Sequence, residues 1–304
     1  MKWISSFYLQ FRMTLSTAVK TFISEKNLRY SASLSYLTIF SLAPLLIITI
    51  SLCGYFFGQQ AMEGKIYTEL RTQIGEVAAT QIEQTIRQVV TAQGSFLATV
   101  LGGIAFLLGI LGVYSDLQLS INRIWMLKAR PKQNFRKYLI KRIISFVLFC
   151  GIGFILVLSL ILNWLIAIFG NYLEPYFAEA GVYMVFAIDR ILVIAMVSTL
   201  LTFMFKYLPD GTVKWSDAVK GAVFTSVLFM LGKAGIGYYL VHSNVASMYG
   251  AAGSLVILLL WIYYTSIIIY FGATFTKVYA YLYGGKILPA SYALFFNINE
   301  IQPD

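Results

Sequence analysis

YGAAGSLVILLLWIYYTSIIIYFGATFTKVYA, residues 249–280, is the stretch that decides the fold. It carries no charged residue from Ala251 to Thr276. A helix of that length rises about 39 Å at 1.5 Å per residue, which exceeds the roughly 30 Å hydrocarbon core of a bilayer. The stretch therefore predicts a membrane-spanning helix.

The composition of the whole chain agrees with this prediction. Of its 304 residues, 59% are hydrophobic and only 12% are charged, whereas soluble domains carry about 25% charged residues. The two cysteines, Cys53 and Cys150, lie in apolar runs without metal-ligand spacing, which indicates inert buried thiols. We expect an all-α, polytopic membrane protein forming a single domain over 1–304, with no cofactor and no metal.

Further apolar stretches predict five more spans before the opening one. They lie at about 34–58, which contains Pro44, and at 95–114, 143–169, 182–205 and 221–241. With six spans and both termini inside, eighteen of the 23 Lys and Arg residues lie on the cytoplasmic side and three lie outside. This bias predicts a multi-pass protein of the bacterial inner membrane with cytoplasmic N- and C-termini.

Two segments outside the spans are amphipathic. Residues 1–33 combine apolar positions at helical spacing with basic residues, which is typical of a cytoplasmic helix either on the membrane surface or docked on the bundle. Residues 59–94 mix acidic and basic residues with a helical apolar pattern and predict an extracytoplasmic helical insertion. The insertion is a candidate surface for an envelope protein partner.

Polar residues inside the predicted spans mark a candidate site. Counted from the outer ends of their spans, four of them fall about 9–12 Å below the outer surface: Asn163, Asp189, Arg190 and Lys233. Charge at such depth is costly unless it meets a partner or water. One interpretation is an outward-facing polar cavity that attracts an anionic headgroup, and the other is a buried ion pair that fixes helix register.

The opening stretch supplies a possible wall for this cavity. Its small residues 250–253 lie at the outer mouth, and Tyr263 and Tyr264 lie near the bilayer centre. That depth is wrong for an aromatic belt, so their polar tips need partners in the bundle or a cavity. We therefore include both tyrosines among the candidate substrate-binding or lipid-binding residues.

A basic segment follows the second predicted span. Its first members are candidate contacts for anionic lipid: Arg123, Lys128, Arg130 and Lys132. Because the segment shows no recognisable recognition fold, nucleic-acid binding is not expected.

Three sequence segments together resemble the YihY/BrkB family of bacterial inner-membrane proteins. They are ASLSYLTIFSLAPLL at 32–46, LSINRIW at 119–125, and YGAAGSL at 249–255 continuing to FGATFTK at 271–277. The resemblance covers nearly the whole chain and implies a six-span inner-membrane protein. The family has carried ribonuclease and virulence-factor labels, but the resemblance brings no agreed catalytic residues.

The sequence favours transport or lipid handling over catalysis. His242 is the only histidine, and the chain has no phosphate-binding loop, HExxH or paired-cysteine metal motif. We expect a transporter-like or lipid-handling protein of the cell envelope, with membrane lipids as partners and no enzymatic activity. The alternative is a non-catalytic scaffold that binds envelope partners.

Overall fold

The fold is taken from a computed structural model. It describes residues 2–41, 96–130, 179–242, 248–249 and 253–295, together with short helical pieces between 135 and 147. The prediction of an insertion at 59–94 and most of the first and third predicted spans lie outside the described residues.

The described chain is mostly helical, as the composition predicts. Its main helices are α1 (Lys2–Ser24), α2 (28–41), α3 (Phe96–Ile124), α4 (Glu179–Tyr207), α5 (Trp215–His242) and α6 (Gly253–Leu282). The segment predicted at 1–33 therefore holds one helix and the start of another, separated by a turn at 25–27.

One helix of the described part, over Leu255–Leu282, is long and apolar enough to cross a membrane. Within α4, Val193–Tyr207 is a shorter apolar helix. The count of six spans stays a prediction.

Helix α3 ends ten residues later than the predicted second span, at Ile124 instead of 114. The predicted span ends where polar residues begin, but the helix continues beyond it because its apolar positions keep helical spacing. Tyr114, Leu117, Ile121 and Ile124 are all buried. Met126, with φ 58°, then takes the left-handed conformation that commonly ends a helix.

Short strands that the sequence did not predict lie between the helices. They are β1 (Leu127–Ala129), β2 (Gly211–Thr212), β3 (Leu288–Pro289) and β4 (Ala293–Phe295). Strand β1 pairs antiparallel with β4, and β2 pairs antiparallel with β3. These pairings bring the last residues of α3, α4 and α6 and the first residues of α5 to one end of the fold.

The chain forms two compact units. The first contains Met1–Glu25, Gln118–Leu228 and Phe271–Asp304, and the second contains Lys26–Leu117 and Phe229–Tyr270. Helices α3, α5 and α6 are each shared between the units along their length.

In the first unit, α1 packs on α5 and α6. Buried Ala18 contacts Phe275 and Val278, and the Phe22 ring meets the Phe271 ring edge-on at 5.5 Å between centroids. At the end of α1, the Glu25 carboxylate pairs with the Lys277 ammonium at 2.8 Å. These are the contacts of a helix docked on the bundle.

A second apolar side of α1 is exposed. Its exposed apolar residues are Tyr8, Leu9, Met13, Val19 and Ile23. Such a side is typical of a helix that lies at a membrane surface. The two sequence-based interpretations of this segment are therefore compatible, because opposite sides of one helix carry the two features.

Two glycine–threonine pairs set the close approach of α5 and α6 in the first unit. A Cβ on Gly221 would overlap Thr276, and a Cβ on Gly272 would overlap Thr225. Each threonine hydroxyl donates to the carbonyl of the glycine four residues earlier in its own helix. Small residues permit such contact between membrane helices, and the hydroxyls stay hydrogen-bonded without leaving their helices.

Candidate functional site around Lys233 and Tyr264

Lys233 lies on α5 in the second unit, within the stretch predicted to cross the bilayer. Its side chain is half-buried. The surrounding helix sequence, Gly232-Lys-Ala-Gly-Ile-Gly237, is unusually rich in small residues. A charged side chain therefore stands at a place where neighbouring groups can approach the α5 backbone closely.

Tyr264 of α6 uses this feature. A Cβ added to Gly232 would coincide with the Tyr264 hydroxyl, so the hydroxyl end of the tyrosine occupies the space that this glycine leaves. The sequence-based expectation that the polar tip of Tyr264 needs a place in the bundle thus has a geometric counterpart beside Lys233.

An aromatic group extends this contact within the second unit. The Trp261 ring stacks near the Tyr264 ring at 6.3 Å between centroids, and it meets the Phe229 ring of α5 at the same separation. One side of the Lys233 region is therefore a wall of three aromatic rings from two helices.

The other glycine beside Lys233 has no described neighbour. A Cβ placed on Gly235 would meet no heavy atom of the described residues within 4 Å. Lys233 therefore lies between a glycine that Tyr264 covers and one that no described residue covers.

The remaining polar residues of the α6 run are satisfied inside their own helix. Thr265 donates to the Trp261 carbonyl at 3.0 Å, and Ser266 donates to the Ile262 carbonyl at 2.8 Å. These hydroxyls need no cavity. Tyr263 is half-buried.

The structure describes the other predicted site residues unevenly. Asn163 and Lys132 lie outside the described residues, while Asp189 and Arg190 lie on the backbone of α4 with their side chains outside them. That these residues line a common cavity stays a prediction. The other predicted lipid contacts are exposed at or after the end of α3: Arg123, Lys128 and Arg130.

A buried polar cluster in the first unit was not predicted from the sequence. Asp210 lies in the loop between α4 and β2. Its carboxylate accepts a hydrogen bond from the side-chain amide N–H of Asn122 at 2.7 Å, and its backbone N–H donates to the side-chain oxygen of Asn122 at 2.7 Å. Its carboxylate also accepts from the Tyr292 hydroxyl at 3.0 Å and from the Gln118 amide at 3.4 Å. All four residues are buried.

This cluster is suited to holding chain segments together. The Asp210 carboxylate accepts from donors of α3 and of the chain before β4, which leaves little capacity for a further hydrogen-bond donor or a ligand. Arg142 extends the cluster by donating to the Gln118 carbonyl oxygen at 3.1 Å. The only sequence signal was the Pro-Asp-Gly turn at 209–211, and nothing in it indicates a partner 88 residues away.

In the part of the chain that the structure describes, no three His, Cys, Asp or Glu side chains come together in a way that could hold a metal ion.

The sequence matches a known protein family over most of its length. A sequence model of the family Virulence factor BrkB matches residues 18–291. The chain belongs to the BrkB family. It is also similar to a UPF0761 membrane protein of Stenotrophomonas maltophilia (strain K279a), with 27% identity over 262 residues, 84% of this chain and 58% of that protein.

Other relatives give the same relationship. A UPF0761 membrane protein of S. maltophilia (strain R551-3) is 26% identical over 262 residues, and one of Xanthomonas axonopodis pv. citri (strain 306) is 23% identical over 257 residues. Both alignments cover 84% of this chain and 58% of the relative. This BrkB-family chain thus spans 58% of the length of these curated relatives. No solved structure matches it.

Two of the segments that carry the BrkB resemblance, 119–125 and 271–277, hold the first unit together. Segment 119–125 supplies Asn122 to the Asp210 cluster and Trp125, whose indole N–H donates to the Ala273 carbonyl at 3.0 Å. Segment 271–277 supplies Gly272 to the contact with α5 and Lys277 to the ion pair with α1. This BrkB-family protein is a membrane protein, and these resemblance-bearing residues pack its helices.

Proposed function

We propose that this BrkB-family membrane protein binds an anionic, lipid-like substrate within the bilayer and transports or presents it in the cell envelope. The observation that carries the proposal is the position of Lys233. It lies half-buried on α5, in a stretch predicted to cross the bilayer, between Gly232, which is covered by Tyr264, and Gly235, which no described residue covers.

The charge of Lys233 is the first argument. A lysine at the centre of a membrane helix costs about 2.5–3.5 kcal/mol in insertion measurements, so such residues mark substrate paths by default. An ammonium group binds phosphate as a point charge from several directions, which suits a headgroup that must move.

The surroundings of Lys233 are the second argument. Phe229, Trp261 and Tyr264 offer an aromatic wall that can contact acyl chains, and the small residues of α5 let a ligand approach the helix backbone. A ligand with a negative headgroup and an apolar tail matches both features. A soluble anion matches only the first.

A structural ion pair is the competing interpretation of Lys233. A pair that only fixes helix register predicts that removing the charge destabilises the fold and leaves lipid binding unchanged. A substrate site predicts loss of bound lipid in a protein that stays folded. The two interpretations therefore differ in one measurable combination.

The test uses the full chain in two formats. Native mass spectrometry measures phosphatidylglycerol retained by the purified wild type, Lys233→Ala, Lys233→Arg and the control Lys286→Ala, which changes an exposed lysine after α6. We expect the affinity for one bound phosphatidylglycerol to fall at least about tenfold in Lys233→Ala, corresponding to about 1.4 kcal/mol, with both other variants near wild type. Proteoliposomes then measure flipping of a fluorescent phosphatidylglycerol.

Unchanged lipid retention in folded Lys233→Ala would overturn the proposal. The same assay tests the extended site. Asn163→Ala and Asp189→Asn should lower the retention of phosphatidylglycerol if these residues contribute to the site. The proposed inner-membrane location with both termini in the cytoplasm is tested by labelling single cysteines near residues 26 and 286 from either side of the membrane.

A further inference from the structure

Helix α5 carries an exposed apolar side, which indicates where the protein contacts lipid. Every fourth residue along its first half is exposed, from 42% to 47%: Trp215, Val219, Val223 and Val227. Over twelve residues this side extends about 18 Å, a little more than half of the roughly 30 Å hydrocarbon core. In a membrane protein, such a side contacts acyl chains, so its Trp215 end lies at the level of the headgroups.

Trp215 is held at this level by an aromatic group from α4. The rings of Phe203 and Tyr207 meet the Trp215 ring at 5.9 Å between centroids, at steep angles of 89° and 78°. Nearly half of Trp215 remains exposed. An amphipathic indole fixed in this way is typical of the membrane–water interface.

Lys206 brings a positive charge to the same place. Its ammonium lies 5.5 Å from the centroid of the Trp215 ring and donates to the Val213 carbonyl. The Lys206 side chain is half-buried. Its contacts with the Trp215 ring and the Val213 carbonyl define its direction. With three N–H donors on an ammonium, donors remain for an anion beside the indole.

Acidic groups at this end of the first unit are withdrawn from the surface. Asp210 and Asp217 are both buried. The Asp217 carboxylate accepts from the Gly285 backbone N–H at 2.8 Å and from the Ser216 hydroxyl at 3.0 Å. Lys214 and Lys220 are exposed, so the described surface near Trp215 is positive.

We propose that Lys206 and Trp215 form a headgroup site for an anionic phospholipid in the leaflet at this end of α5. The apolar side of α5 contacts the acyl chains, the indole lies at the glycerol level, and the Lys206 ammonium binds the phosphate. By the charge count of the sequence this leaflet is the cytoplasmic one. The site is separate from Lys233, which lies eighteen residues further along α5.

The occupant is a lipid because the charge stands at the end of an acyl-chain surface. A free phosphate ion would use only the ammonium group. Surface potential alone would act equally on every exposed lysine at this end, whereas a built site depends on the lysine that contacts the indole.

The experiment measures thermal stabilisation of the full chain in detergent doped with dioleoyl-phosphatidylglycerol, dioleoyl-phosphatidylcholine or inorganic phosphate. We expect phosphatidylglycerol to raise the melting temperature of the wild type by several degrees more than phosphatidylcholine does. Lys206→Gln and Trp215→Leu should lose at least half of this difference, and Lys206→Arg should keep it. Lys286→Gln, which removes an equal charge at the same end, should keep it too.

Two results would overturn the site. One is an equal loss for Lys206→Gln and Lys286→Gln, which would indicate a response to net charge. The other is equal stabilisation by inorganic phosphate and phosphatidylglycerol, which would indicate that no lipid is recognised. Because Lys206→Gln could weaken the fold by freeing the Val213 carbonyl, each variant is compared with itself in phosphatidylcholine. In a Lys233→Ala background, Lys206→Gln should still lower the difference by as much as it does in the wild type, which separates this site from the proposed function.

Discussion

Replacing Asn122 by alanine removes two buried hydrogen bonds from the Asp210 cluster. One is donated to the carboxylate and the other is accepted from the Asp210 backbone N–H, both at 2.7 Å. A hydrogen bond to a charged group contributes about 1.5–3 kcal/mol and a neutral one about 1 kcal/mol. The substitution also leaves the backbone N–H of Asp210 buried without this hydrogen bond. We therefore expect a loss of about 2–4 kcal/mol in the free energy of unfolding.

Equilibrium unfolding by SDS in mixed micelles, followed by tryptophan fluorescence, measures this loss. It corresponds to a change of about 30- to 900-fold in the unfolding equilibrium constant. The control is Thr265→Ala, because that hydroxyl bonds only to its own helix in the described structure, and it should cost less than about 1 kcal/mol. A loss below about 0.5 kcal/mol for Asn122→Ala would refute the view that the cluster holds these segments together.

Further predictions test other contacts of the helices. Gly272→Val should destabilise the protein by about 1–3 kcal/mol because the new side chain overlaps Thr225. Gly235→Ala should be neutral or stabilising by up to about 1 kcal/mol, since no described residue stands near that position. Equal melting temperatures for the two variants would contradict the close helix contact at Gly272. Lys277→Met should leave the Glu25 carboxylate without its ion pair and make α1 more sensitive to limited proteolysis; protection as strong as in the wild type would show that the pair does not hold the helix.

Much of the helical fold could be predicted from uncharged length. The stretch from 251 to 276 became α6, Gly253–Leu282, and the predicted spans at 182–205 and 221–241 lie inside α4 and α5. Hydropathy finds such helices because the bilayer requires a minimum apolar length. It indicates where the apolar part of α3 ends, at about 114, but not where the helix itself ends, because the last ten residues are amphipathic and their apolar side is buried.

Tertiary contacts between polar residues could not be predicted in the same way. Asn122 and Asp210 each occur in a plausible helix end or turn, and their pairing depends on strands of two or three residues that carry no detectable pattern. For the candidate site, the sequence indicated that Tyr264 needed a place in the bundle. It could not indicate Gly232, because a glycine in a membrane helix has many packing uses.

The central claim is that an anionic lipid headgroup binds at Lys233. Electron cryomicroscopy of the full chain in nanodiscs containing phosphatidylglycerol tests it most directly. We predict headgroup density within about 4 Å of the Lys233 ammonium, with a tail along Trp261 and Tyr264, and loss of that density in Lys233→Ala. Protein side chains that fill all the space around Lys233 in the wild type, with no lipid density there, would contradict the claim.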